Sequence, residues 1–265
     1  MIKIRSIILV LFVYLIWTST TFLFEGRLHT FLRPEAVIDR VIYILMANFL
    51  IGIVFSVIVL RYLTHQKQVM PKKAGFREFR YSLISVVVGF ILGISIYFLQ
   101  NPPSTHPVVI FNAYVQVLSV TIAEIMICWA VVGSVIESSF RNLGKIVSLI
   151  VAFIITSILF GFYHFAHSPP FNNLNMVLFL SFIGLFTGLF FFISRDIYGT
   201  IVFHNFFGIK GVIQALIKAD ALSSYKQISP IILITAFIAV SILILMHVIF
   251  LSSKNVSIDD MGVLD

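Results

Sequence analysis

Eight apolar runs, each long enough for a membrane-crossing helix, limit what this chain can fold into. They extend over Ile7–Phe24, Val41–Tyr62, Tyr81–Leu99, Val108–Ile136, Ile146–His167, Met176–Ser194, Ile197–Ile217 and Ile231–Leu251. About 20 predominantly apolar residues cross the hydrocarbon core as a helix. A membrane β-strand would instead show about ten residues of strict alternation, and no run does. Composition agrees: 60% of the 265 residues are hydrophobic and 11% charged, against roughly 45–50% and 25% in soluble domains. As a soluble globule the chain would expose one continuous apolar surface. Disorder is excluded as well, because it needs low hydrophobicity and high net charge. The sequence predicts an all-α polytopic membrane protein of about eight transmembrane helices. One membrane domain is expected over residues 1–252, followed by a short, polar, mobile tail over 253–265.

The net charge of +7 comes from 18 Lys and Arg against 11 Asp and Glu. In this setting the excess is assigned to basic loops on the cytoplasmic face, and no nucleic-acid partner is inferred. Lys67, Lys72, Lys73, Arg77 and Arg80 lie between the second and third runs, and Arg141 and Lys145 follow the fourth. The stretches 100–107 and 168–175 hold no Asp, Glu, Lys or Arg. This alternation predicts cytoplasmic N- and C-termini. In the first outer loop, Arg27, Arg33 and Arg40 are accompanied by Glu25, Glu35 and Asp39. Lys3 and Arg5 precede the first run as in a signal peptide, but no small-x-small site follows, so a retained helix is expected. The lone cysteine, Cys128, rules out an internal disulfide and reads as an inert packed thiol.

An ionisable side chain at mid-bilayer costs at least ~2.5–3.5 kcal/mol, which makes each one a functional candidate. Glu124 reads as the only acidic residue deep inside a run. His164, His167, His204 and His247 fall within runs or at their ends. Lys210 is free to snorkel outward, and His247, with no polar neighbour in sequence, reads as a packing residue. Glu124, His164 and His204, from three separate helices, suit a site that activates water. The carboxylate takes the proton while an imidazole positions the water or stabilises the developing oxyanion. The blander reading keeps Glu124 protonated as a structural helix–helix contact.

The segment Ser157-Ile-Leu-Phe-Gly-Phe-Tyr-His164 resembles the F-x-x-x-H motif of the CAAX protease and bacteriocin-processing (CPBP, Abi) family. Ala123-Glu124-Ile-Met-Ile-Cys128 is similar to that family's E-E-x-x-x-R motif. The stretch from Gly184 through Ser194-Arg-Asp to Phe203-His204 resembles its last motif region. The likeness covers roughly Val108 to Val212. It implies an intramembrane endopeptidase with eight helices around a polar cavity, acting on a membrane-associated or lipidated peptide or protein, in the plasma membrane of a prokaryote. The implied roles are Glu124 as general base, His164 as its partner and His204 as oxyanion donor. Asn205 and Phe160 are implied to position the oxyanion or the substrate. No cofactor is expected; the alternative is a zinc ion held by Glu124, His164 and His204.

Two registers of the first motif remain open. Either Ala123 replaces its first glutamate and Cys128 its arginine, or Ile125 replaces the second glutamate and Trp129 the arginine. Most members carry Asn four residues after the last histidine, where Gly208 stands here. Asn205 is adjacent to His204 and about 100° around the helix from it. Tyr163-x-x-x-His167 repeats the aromatic-to-histidine spacing, so His167 is a second choice to His164. Helix length raises a tension: at 1.5 Å per residue, His164 lies roughly 27 Å from Ile146, and His204 only about 10 Å from Ile197. Two other functions stay in view. One is a catalytically impaired member that binds peptides or partners, as in bacteriocin immunity. The other is a small transporter with Glu124 as proton relay, for which no repeat pair is evident.

Overall fold

A computed structural model describes residues 4–30, 33 and 36–252; the polar tail lies outside the described residues. Its eight spanning helices are α1 (Ile4–Gly26), α2 (Val37–His65), α3 (Phe79–Leu99), α4 (Pro107–Ser139), α5 (Lys145–Ala166), α6 (Leu174–Ser194), α7 (Ile197–Lys218) and α8 (Pro230–Ile249). With no water in the hydrocarbon, each span must satisfy its own backbone groups, and helices do so internally. The apolar surplus faces outward: Ile8, Phe12, Ile84, Phe90, Phe182 and Phe237 are all exposed. The chain is therefore an all-helical integral membrane protein.

The exception is α4, buried over 94% of its most apolar window, against 22% for α8. It packs against α1, α2, α5, α7 and α8, and so forms the centre of the bundle. Two close helix pairs flank it, α3 with α7 and α5 with α6. In a bilayer such contacts depend on small residues that let backbones approach. Gly89 faces the Gly199 carbonyl and Gly93 faces Phe206, while Gly161 and Gly184 bring α5 onto α6.

One end of the bundle is basic and tied together. Glu137 accepts from Lys73 Nζ at 3.0 Å and from Arg195 Nη1 at 2.7 Å. Arg77 donates to the Ser194 carbonyl at 2.7 Å, and the Ile197 N–H to the Gly75 carbonyl at 3.1 Å. The segment between α2 and α3 thus lies over the α6–α7 turn. Beneath it, Asp196 caps α7 through the Gly199 N–H at 2.7 Å and accepts from the Ser82 hydroxyl. An acidic cap at a helix N-terminus satisfies an orphan donor and complements the helix dipole.

This arrangement resolves the depth tension. Ile146 is 75% exposed at the start of α5, whereas Asp196 and Ile197 are 0% exposed at the start of α7. Both histidines nonetheless reach Glu124, so the two helices begin at different levels along the bundle.

Candidate active site

Glu124 stands where α4 passes from α-helical to π-helical geometry, which runs from Ile125 to Gly133. Such wide turns recur at functional sites. Here the widened helix is walled on every side, and Glu124 is 4% exposed. Its Oε1 lies 3.7 Å from His164 Nε2 and its Oε2 lies 3.4 Å from His204 Nε2. The three side chains come from α4, α5 and α7.

His164 opens the single 3-10 turn that ends α5. The preceding Tyr163 anchors this turn, with its ring stacked on Trp17 at 3.6 Å and its hydroxyl 3.2 Å from Thr21 Oγ1. His164 Nδ1 lies 2.9 Å from the Phe160 carbonyl, which can only accept. Nδ1 therefore carries a proton, and in the neutral ring Nε2 presents a lone pair to Glu124. His204 Nδ1 lies 2.6 Å from the Thr187 hydroxyl on α6. That hydroxyl both donates and accepts, so it orients the ring in either tautomer.

The cluster lines a cavity of about 250 Å³. Phe160 lies between the two imidazoles, 4.8 Å from the His164 ring and 5.0 Å from that of His204. Apolar groups of α6 and α7, including Phe179, Leu180, Ile183 and Phe207, form most of the remaining wall. Gln100 and Lys210 stand on the wall towards the end opposite the basic loops. Lys210 does not snorkel free; its Nζ donates to the Gln100 carbonyl at 3.0 Å.

Asn205 does not join the group. Its Oδ1 accepts from the Thr121 hydroxyl at 2.9 Å and its Nδ2 donates to the Tyr114 carbonyl at 2.8 Å. Fully buried, it ties α7 to α4 and leaves no amide donor facing the histidines. Its place on the helix, about 100° from His204, already turned it elsewhere. Gly208 lines the cavity without a side chain. Of Glu124's neighbours, Ala123 packs on Gly52 of α2. Trp129 fills the space beside the site, its ring 5.2 Å from Phe160 and 5.9 Å from His204.

Two sequence readings need correction. Glu124 is not the only buried acid: Glu25 is 0% exposed, because α1 continues through a π-helical turn to Gly26. Glu25 pairs with His167, whose Nδ1 lies 3.1 Å from its Oε2. The apolar run read from sequence ended at Phe24, one residue short. His247 is not without a polar neighbour either, since its Nδ1 lies 2.7 Å from the Tyr198 hydroxyl. As for zinc, among the described residues no three His, Cys, Asp or Glu side chains are arranged to hold a metal ion. As placed, the residues do not fit the ion.

Fold and site together define an integral membrane protein in which three spanning helices bring a carboxylate and two imidazoles to one buried cavity. A family model described as type II CAAX prenyl endopeptidase Rce1-like matches residues 133–210. This stretch holds His164 and His204 and begins beyond Glu124. The match supports membership of the CAAX protease family. No curated protein and no solved structure matches the chain.

Proposed function

We propose that this chain is an intramembrane endopeptidase of the CAAX type, hydrolysing a peptide bond of a membrane-associated or lipidated substrate. The observation that carries the reading is the Glu124 carboxylate set between two imidazole Nε2 atoms, at 3.7 and 3.4 Å, in one cavity. Glu124 Oε1 and His164 Nε2 are both acceptors, spaced so that one water can donate a hydrogen to each. That water's lone pairs then face the cavity. The water oxygen bonds to the substrate carbonyl carbon while its proton passes to Glu124. His204, as the Nε2–H tautomer with Thr187 donating to Nδ1, turns its N–H to the new oxyanion. The C–N bond then breaks, and the proton held by Glu124 goes to the leaving amine. Phe160 holds the substrate chain between the rings. No metal is needed at any step. We propose that the basic loops are cytoplasmic, following the charge alternation; a prokaryotic plasma membrane is what the family resemblance implies.

Hydrolysis is tested with the purified chain, a set of farnesylated peptides and mass spectrometry in water enriched in oxygen-18. One heavy oxygen is expected in the new carboxylate after a single turnover. Absence of product across the set overturns the hydrolase reading. Thr187→Val is expected to lower kcat roughly ten- to hundredfold with little change in KM, because a group that orients a reacting side chain acts through it. Equal kcat would free His204 of that dependence.

A second reading, a family member that binds peptides without cutting them, is favoured by Gly208 and by the engaged amide of Asn205. Neither supplies a second oxyanion donor. Peptide binding without product would establish it.

A further inference from the structure

A second acid–imidazole pair, Glu25 with His167, reaches the cavity through its histidine and is left unused by the hydrolytic scheme. Glu25 accepts from the Ser168 N–H at 2.8 Å, the Ser168 hydroxyl at 2.5 Å and His167 Nδ1 at 3.1 Å. Both of its oxygens are engaged. The contact is built tightly: a Cβ on Gly26 would lie 2.1 Å from the Ala166 carbonyl oxygen. With its Nδ1–H given to the carboxylate, the neutral form of His167 keeps a lone pair on Nε2.

That Nε2 is buried and has no hydrogen-bond partner. His167 is 7% exposed and is one of the residues bordering the cavity. It stacks on His164 with centroids 5.2 Å apart and planes at 29°, beside the water-activating pair. A strut between α1 and the end of α5 would need only Nδ1. A buried acceptor left unanswered is costly, and a buried carboxylate spent on orienting it is costlier still.

We propose that His167, oriented by Glu25, is a substrate-binding residue whose Nε2 accepts a hydrogen bond from a backbone N–H of the bound peptide. Every peptide carries that donor, so the contact sets the position of the chain against Glu124 without selecting its side chains. The inference rests on the peptide-substrate reading and deepens it.

The test measures binding of a fluorescein-labelled farnesylated peptide by anisotropy, in the non-cleaving Glu124→Gln background. His167→Asn keeps an amide N–H near the Nδ1 position for Glu25 and removes the Nε2 acceptor. It is expected to weaken binding about tenfold, the loss of one hydrogen bond to a buried group, with the thermal midpoint retained. His167→Gln, which carries an amide oxygen towards the Nε2 position, restores most of the affinity. Binding by His167→Asn equal to the parent overturns the proposal. If His167→Asn does not fold, peptides N-methylated at one amide at a time decide: one position costing about tenfold supports the contact, and none refutes it. Peptide bound but never cut by the wild type, with binding lost in His167→Asn, removes hydrolysis and keeps this site. A wild type that binds no peptide removes both.

Discussion

Replacing Glu124 with glutamine is expected to leave the bundle folded and to cut peptide cleavage by about a thousandfold. A positioned general base contributes roughly 10²- to 10⁴-fold, and here the same carboxylate also returns the proton to the leaving amine. Glutamine matches glutamate in size and can still meet His204, but it cannot accept a proton. The fold tolerates the change because a buried charge is removed and none is left unpaired; the lysine on the cavity wall, Lys210, already has the Gln100 carbonyl. Initial rates by chromatography, with helical content from circular dichroism, give the comparison. Equal rates in the two proteins would take Glu124 out of the chemistry.

Gly199→Val is expected to destabilise the bundle, and to reach the chemistry only through it. A Cβ at this position would lie 1.9 Å from Ser85 Oγ and 2.6 Å from both the Ser85 carbonyl carbon and its oxygen. The hydroxyl can rotate away; the backbone of α3 cannot. Overpacking typically costs 1–3 kcal/mol and occasionally more, and with two further methyl groups on a backbone-to-backbone contact about 3 kcal/mol is expected. Helix α7 can relieve the clash only by moving off α3, which takes His204 with it. Monodisperse protein on size exclusion and the thermal midpoint report the loss. Gly211→Ala is the control, because its Cβ would meet only Phe171 at 3.6 Å, an ordinary contact. A Gly199→Val protein as stable as that control would show that α3 and α7 do not depend on this approach.

The spans were legible because membrane insertion writes itself into composition, and long apolar runs need no tertiary partner to be recognised. Val108–Ile136 became Pro107–Ser139, and Ile7–Phe24 became Ile4–Gly26. The second of these small extensions matters, because it carries Glu25 from an expected loop into the buried interior. The three side chains around the cavity stood out as polar groups in apolar surroundings, and the family resemblance linked them. What could not be read was depth. Counting residues from each helix start separated His164 from His204, since nothing in the sequence says that Asp196 begins α7 inside the protein. Thr187 was equally invisible. A threonine in an apolar run commonly bonds back to its own helix, and the Ile183 carbonyl, 3.2 Å from Thr187 Oγ1, competes for the one hydroxyl proton that His204 Nδ1 takes in the proposed tautomer. The approach of Thr187 to His204 exists only once α6 and α7 are packed.

The enclosure of α4 has a consequence for how the surroundings reach the chemistry. Most of α8, α3 and α1 is exposed on the outside of the bundle, whereas the helix that carries the acid is almost wholly covered by protein. Bilayer thickness and headgroup type therefore act on Glu124 only at second hand, through the tilt of the helices that bring imidazoles to it.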